Sequence, residues 1–207
     1  MNASRTIARL AVLRHGPTAW NEAGRIQGRS DQPLSPAGKD WVGRWQLPTN
    51  LHGWTWYRSP LIRTTSTAAL LGHPDARIED RLIETNWGEW EGARLPELRL
   101  SLGEEMTKME DRGLDFCPPG GESPRDLLAR LHPFLKELGQ RREQAVAVTH
   151  KGIIRALYAG ASGWPMVGRP PEKLREPHYH IFTLDSEGRL GIERLNCPLL
   201  PEEADGQ

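Results

Sequence analysis

Two short apolar runs constrain this chain more than any other feature. Residues 7–13 (Ile-Ala-Arg-Leu-Ala-Val-Leu) and 145–148 (Ala-Val-Ala-Val) are almost wholly apolar. Each stops in a polar cluster that holds a histidine and a glycine: Arg14-His15-Gly16 and Thr149-His150-Lys151-Gly152. Runs this short, bounded by turn residues, read as strands. They do not alternate, so both of their faces are buried and helices must cover the sheet on each side. Ligands of such sheets sit beyond the carboxyl ends of the strands, and both histidine clusters fall at that edge.

The intervening segments supply the helices. Ser35-Pro36 opens one that runs to Trp45, with serine as N-cap and proline in the first turn. Ser59-Pro60 opens another in the same way, running to Leu71, and Ser123-Pro124 opens a third. In the third, Leu127, Leu128, Leu131, Leu135 and Leu138 fall on one face. Residues 54–57 form a short strand leading into Ser59, and residues 178–184 and 190–195 form the last strands, joined at 186–188. Strands alternating with capped helices imply an α/β layered fold with a mainly parallel sheet. The length of 207 residues suits one domain over residues 1–207. Residues 198–207, rich in proline and acid, read as a frayed tail.

Charge narrows the function. Lysine plus arginine number 27 and aspartate plus glutamate 27, so the net charge is zero and a nucleic-acid or polybasic membrane partner is disfavoured. Arginine strongly outnumbers lysine, which suits forked recognition of oxyanions. Two cysteines, Cys117 and Cys197, make neither a disulfide framework nor a metal motif and point to a reducing compartment. The first 13 residues lack a signal peptide's apolar core, and no apolar run is long enough to span a bilayer. A cytoplasmic protein is expected.

Taken singly, His15 reads as a strand-end histidine bonded to a nearby carbonyl, and Arg63 as a solvated helix arginine. Together they suggest more. His15 and His150 share a topological position, and Arg14, Arg63 and Arg155 fall close to them or at a helix start, where N–H groups also face an anion. An imidazole nucleophile needs one neutral nitrogen free and the other held by a hydrogen bond. A transferring phosphoryl group needs several fixed donors. Two arginines and two imidazoles meet both needs without a metal.

The segment Leu13-Arg14-His15-Gly16-Pro17-Thr18-Ala19-Trp20-Asn21 resembles the signature of the histidine phosphatase superfamily, which includes the cofactor-dependent phosphoglycerate mutases. The resemblance continues through Arg25-Ile26-Gln27-Gly28, Asp31-Gln32-Pro33-Leu34-Ser35-Pro36-Ala37-Gly38, Ser59-Pro60-Leu61-Ile62-Arg63-Thr64, Leu82-Ile83-Glu84, Gly88-Glu89-Trp90-Glu91-Gly92, Gly121-Glu122-Ser123 and Thr149-His150-Lys151-Gly152. Arg-His-Gly alone is weak; the ordered set is specific and covers most of the chain. It implies a phosphoglycerate mutase-like three-layer α/β/α sandwich. It also implies roles. His15 matches the nucleophile that becomes phosphohistidine, Arg14 and Arg63 the phosphate clamps, and His150 the second histidine that donates to the phosphoryl group. Asn21 matches a phosphate-contacting asparagine, Gln27 and Gly28 fall where relatives touch substrate, and Glu84 matches the general acid. Glu79, Asp80, Glu89 and Glu91 rival Glu84 in the sequence; Glu89 and Glu91 read as loop-fixing residues.

Two positions depart from the family. Lys151 stands where many relatives have glycine, and either faces solvent or adds a cation at the pocket rim for a multiply anionic substrate. Pro17 replaces a common glutamate. Elsewhere, His178 and His180 share a strand face but lack a third ligand, so no metal and no cofactor are expected. His52, His73 and His132 read as surface or packing residues, Trp41 and Trp45 as core, and Asn21 has the alternative of capping a turn. The resemblance points to a phosphomonoester hydrolase whose partner is a small-molecule phosphate ester. The segment after Glu84, short for a mutase, looks like the phosphatase branch, including the α-ribazole phosphatase type. Phosphoglycerate mutase is the alternative, and a non-catalytic phospholigand-binding protein a third, disfavoured because every reacting residue is present. Relatives include dimers, so a homodimer is among the expected states. Substrate selection falls to residues 93–119, Lys151 and residues 163–177.

Overall fold

The computed structural model describes residues 7–199. Its elements in chain order are β1 (Ala8–Arg14), α1 (Ala19–Glu22), α2 (Pro36–Val42), β2 (Thr55–Arg58), α3 (Ile62–Leu70), β3 (Arg77–Ile78), α4 (Leu95–Leu102) and α5 (Glu104–Glu110). They continue with α6 (Pro124–Arg141), β4 (Gln144–Thr149), α7 (Lys151–Ser162), β5 (His178–Leu184) and β6 (Leu190–Pro198). The six strands form one sheet in the order β3-β2-β4-β1-β5-β6. The first four in that order are parallel, and β5 and β6 run antiparallel on the far edge.

The apolar runs behave as two-sided buried strands should. Leu10, Val12, Ala145 and Ala147 join one core with Leu127, Leu131, Phe134 and Leu135 of α6 and Ile153 and Leu157 of α7. Their neighbours Ala11, Leu13, Val146 and Val148 join the other core with Val42 of α2 and Ala68 of α3. Helices therefore cover both faces, giving the three-layer sandwich. Each fully buried leucine or phenylalanine contributes about 1.5–3 kcal/mol, so these two cores dominate the stability.

Local signals decide the helix starts. Ser123 and Asp126 form a reciprocal capping box at α6, with Pro124 in the first turn, a device worth about 1 kcal/mol. Ser35 caps α2 through the N–H of Gly38 at 2.9 Å, but α2 ends at Val42, short of Trp45. At α3 the expectation fails. The helix starts at Ile62 with Leu61 as an N-cap that offers no side-chain bond, and Ser59 is used elsewhere. Residues 93–119, with no strong helical pattern, fold largely as α4 and α5, which pack on each other.

The chain end also differs from expectation. Pro198 closes β6 and Leu199 is buried, its N–H donating to the Pro177 carbonyl at 3.2 Å and its carbonyl accepting from Gln46 N at 2.6 Å. Residues 200–207 of the expected tail, like residues 1–6, lie outside the described residues. His180 is buried and accepts at Nδ1 from the Asn196 N–H, a structural role, while His73 stacks on Trp56 with 3.7 Å between centroids.

Candidate active site

The parallel register of β1 and β4 sets Arg14 opposite Thr149, so the residues that follow both strands emerge side by side. The His15 N–H donates to the Thr149 carbonyl at 3.0 Å, and the His15 and His150 rings lie 5.2 Å apart, edge to face. β2, paired in parallel to β4, ends one residue before Ser59. Ser59 thus stands at the same edge as the two histidines and hydrogen-bonds His150 Nε2 at 2.8 Å. Its position after a strand, matching that of His15 and His150, was the signal available in the sequence; the Ser-Pro pair masked it.

His15 is buried, with Nδ1 2.7 Å from the Gly16 carbonyl. A carbonyl only accepts, so Nδ1 carries the proton and Nε2 the lone pair. Burial pushes its pKa well below the usual 6.5, and the Arg14 and Arg63 charges add to the shift. His15 is held as a neutral imidazole with Nε2 available.

Arg63, in the first turn of α3, is fully buried. It donates to the Gly28 carbonyl at 2.7 Å, to the Ser30 carbonyl at 2.9 Å, and from Nε to His150 Nδ1 at 3.3 Å. Three of a guanidinium's five N–H groups are thereby spent on fixing its plane, and two remain. The loop that holds it is itself fixed by Glu91, which accepts from Arg29 N at 2.7 Å, Ser30 N at 2.8 Å and Ser30 Oγ at 2.6 Å. Gly28 adopts φ +55°, and a Cβ there would strike the Glu91 carboxylate. Glu91 is thus the loop-fixing acid expected from the sequence. Glu89 is not, since its side chain is exposed and makes no hydrogen bond among the described residues; its backbone N–H donates to the Pro119 carbonyl.

Glu84 is buried where the loop after β3 meets the start of α7. Its Oε1 accepts from Thr85 N at 2.8 Å and its Oε2 from Gly152 N at 3.2 Å. Burial raises its pKa above 4.5, against the lowering effect of those two N–H groups and of Arg63 and Arg14. A Cβ on residue 152 would collide with Glu84 Oε1 and Thr85 Oγ1, so glycine at 152 is what lets the carboxyl dock on the helix start.

A cavity of about 680 Å³ opens on this edge. Arg14, His15, Arg63 and Glu84 line it, as do Asn21, Gln27, Gly28 and Lys151. The structure therefore gathers eight of the nine predicted site residues. His150 is the exception. It is fully buried behind His15, and both ring nitrogens are occupied by Arg63 and Ser59. Asn21 takes the capping role: its Oδ1 closes the Thr18 capping box, and its amide N–H groups make no hydrogen bond among the described residues. Arg14 donates to Glu176 Oε2 at 2.5 Å, a partner on the 163–177 segment that sequence reasoning missed. Trp41 and Trp45 are half-buried and line a second cavity of about 360 Å³ that Arg14 and His15 also border; Trp45 packs against the core as expected. Among the described residues no cluster of three or more histidine, cysteine or acidic side chains could hold a metal.

Two histidines, two guanidiniums and a protonatable carboxyl at the carboxyl edge of a largely parallel sheet define a class, the α/β phosphohydrolases. Comparison with known proteins gives the family: residues 10–197 match the histidine phosphatase superfamily (branch 1), and the chain belongs to it. It is 32% identical over 186 residues to glucosyl-3-phosphoglycerate phosphatase of Mycobacterium tuberculosis, covering 77% of this chain and 80% of that one. It is 31% identical over 161 residues to a 2,3-bisphosphoglycerate-dependent phosphoglycerate mutase of a Methylobacterium species, covering 72% and 77%. The native structure of the mycobacterial glucosyl-3-phosphoglycerate phosphatase superposes with a TM-score of 0.74 at 27% identity, covering 92% of this chain and 99% of that one.

Proposed function

We propose that the protein hydrolyses phosphomonoesters of small metabolites through a phosphohistidine on His15. The observation that carries this is the protonation pattern: a neutral His15 with Nε2 free, facing the same cavity as a carboxyl whose pKa burial has raised. His15 Nε2 attacks phosphorus in line with the ester oxygen, and the N–P bond forms as the P–O bond breaks. The Glu84 carboxyl gives its proton to the departing alkoxide. The resulting Glu84 carboxylate then takes a proton from water, whose oxygen attacks phosphorus; the N–P bond breaks, phosphate leaves and His15 is neutral again. Arg14, the free N–H groups of Arg63 and the amide of Asn21 stabilise the equatorial oxygens. His150 acts one layer back, as a positioning residue for Arg63 and the His15 ring. Gln27 and the Gly28 loop border the leaving alcohol.

Phosphate release from p-nitrophenyl phosphate and a panel of phosphomonoesters, with and without EDTA, tests this reading. Wild type is expected to turn over in EDTA, to trap an acid-labile phosphoenzyme, and to lose both in His15→Ala. No release across the panel would defeat it. The mutase relative favours a second reading, transfer between 2- and 3-phosphoglycerate. Interconversion faster than phosphate release would establish that one instead. The two free cysteines fit work in a reducing cytoplasm. The homodimer that the resemblance admits is read from the molecular mass in solution.

A further inference from the structure

Arg14 and Arg63 are fixed by unequal means. Arg63 spends three N–H groups on protein acceptors, and Arg14 spends one, on Glu176. The Arg14 Nε is buried and has no partner among the described residues. Four of its five N–H groups therefore remain for an oxyanion, and a single contact sets where they point. Arg14 borders three cavities: the reacting one, the one of about 360 Å³ lined by Trp41 and Trp45, and one of about 210 Å³ bordered by α7 and residues 164–178. Glu176 borders the two smaller ones and not the first, so its carboxylate holds Arg14 from outside the space a phosphoryl group would enter. Among the described residues lining the smallest, Glu176 is the only acid beside Arg14, Lys151, Arg155, Lys173 and Arg175, and it bonds Arg14.

A distortion of the sheet edge places Glu176. Between the pairs Tyr179–Cys197 and Ile181–Arg194, His180 of β5 faces two residues of β6, Leu195 and Asn196, which makes a β-bulge. Asn196 adopts φ +55°, a conformation asparagine tolerates better than most residues. Its side chain binds the segment before β5. Oδ1 accepts from Arg175 N at 2.7 Å, and Nδ2 donates to Glu172 Oε1 at 2.9 Å and to the Lys173 carbonyl at 3.1 Å. The Glu172 N–H donates to the hydroxyl of the buried Tyr158 at 2.9 Å. Residues 163–177 contain no helix or strand, yet the stretch that ends in Glu176 is tied to β6 and to α7. The Arg14–Glu176 pair is partly exposed, and such pairs add little to stability. Its consequence lies in the orientation of Arg14.

We propose that Glu176 is a positioning residue for phosphoryl transfer and that the bulge at Asn196 sets it: Asn196 fixes residues 172–175, Glu176 fixes Arg14, and Arg14 meets the equatorial oxygens in one orientation. The inference rests on the hydrolase reading for the role of Arg14. Glu176 does not touch the substrate. It spares the transition state the cost of ordering a long side chain.

The test reads the inhibition constant of orthovanadate together with kcat/KM for p-nitrophenyl phosphate. Glu176→Ala is expected to lower kcat/KM and to weaken vanadate by about tenfold each. Glu176→Gln keeps an acceptor for Arg14 and is expected to recover most of both. A merely structural role reduces the active fraction and leaves the vanadate constant unchanged. Vanadate bound by Glu176→Ala as tightly as by wild type, or no recovery in Glu176→Gln, overturns the assignment. Asn196→Gly suits the positive φ and deletes only the side-chain bonds. It should weaken vanadate too, and add nothing to Glu176→Ala in the double variant; fully additive losses overturn the relay from Asn196. If Glu176→Ala loses its cooperative melting transition, Glu176→Ser is read by the same constants. If wild type releases no phosphate, the hydrolase reading falls and the variants are compared by calorimetric titration with vanadate. Binding about tenfold weaker in Glu176→Ala then supports the positioning role, and equal binding, or none even in wild type, overturns it.

Discussion

Arg63 donates its Nε–H to Nδ1 of His150 across 3.3 Å, and this contact decides the tautomer of the histidine behind the nucleophile. A guanidinium only donates, so the lone pair is on Nδ1 and the single proton on Nε2, which faces Ser59 Oγ at 2.8 Å. Burial keeps the ring neutral, with the Arg63 and Arg14 charges acting in the same direction. His150 therefore fixes an arginine that lines the cavity.

His150→Ala is expected to lower kcat/KM by about 10²–10³-fold, the scale of losing one fixed donor to a developing charge. Vanadate affinity should fall with it, because Arg63 loses its support, and His150→Asn should recover part of both. Lost turnover with vanadate bound as tightly as in wild type would instead make His150 a direct donor to the phosphoryl group.

Glu84→Gln keeps the acceptor that Gly152 N–H needs but has no acid proton to give. Turnover of alkyl phosphates is expected to fall by about 10²–10⁴-fold, and that of p-nitrophenyl phosphate far less, since its leaving oxygen needs no proton. Measured across a leaving-group series, an equal loss for both classes would remove Glu84 from the role of general acid.

Gly152→Ala offers a cleaner displacement. In an open first turn, alanine for glycine would stabilise the helix by up to about 1 kcal/mol. Here its Cβ meets Glu84 Oε1 and Thr85 Oγ1, so the carboxyl must leave its place. We expect lower kcat with no gain in melting temperature; full activity in this variant would mean that the docked carboxyl is dispensable.

Stability should depend on acid in a defined sense. Burial lowers the pKa values of His15 and His150 well below 6.5 and that of His180 to about 4. Between those folded values and 6.5 the unfolded chain binds more protons, so stability is complete above 6.5 and drains away as pH falls through the window. Glu84 acts oppositely: its raised pKa adds stability below 4.5 that is lost as pH rises through the folded value. Urea midpoints from pH 7 to pH 4 should decline, and the decline should be shallower in His180→Gln. A flat profile would contradict the buried neutral imidazoles.

Much of the fold was legible because it is local. The non-alternating runs at β1 and β4 demanded cover on both faces, and Ser123-Pro124 with the leucine face behind it announced α6. The ordered motifs carried His15, Arg14, Arg63 and Glu84 to one cavity, since each follows a strand or opens a helix at the same sheet edge. Where the local rule misled, a distant group had outbid it. Ser59 has the form of a helix cap but meets His150, a residue 91 positions away, and α3 starts two residues later than Ser59-Pro60 suggests.

The sequence by itself determined five of the six strands, the two-sided burial of β1 and β4, and which chemical groups follow them. Those follow from hydrophobic period, capping and the polarity of single residues, all short-range properties of the chain. Only the tertiary structure decided how those groups are wired. Arg63 is oriented by carbonyls at Gly28 and Ser30, Glu84 is docked on Gly152, and Arg14 is paired with Glu176. The physical reason is that hydrogen bonding and desolvation act over a few ångströms of space. Which residues share those few ångströms is fixed by strand order and register, not by distance along the chain.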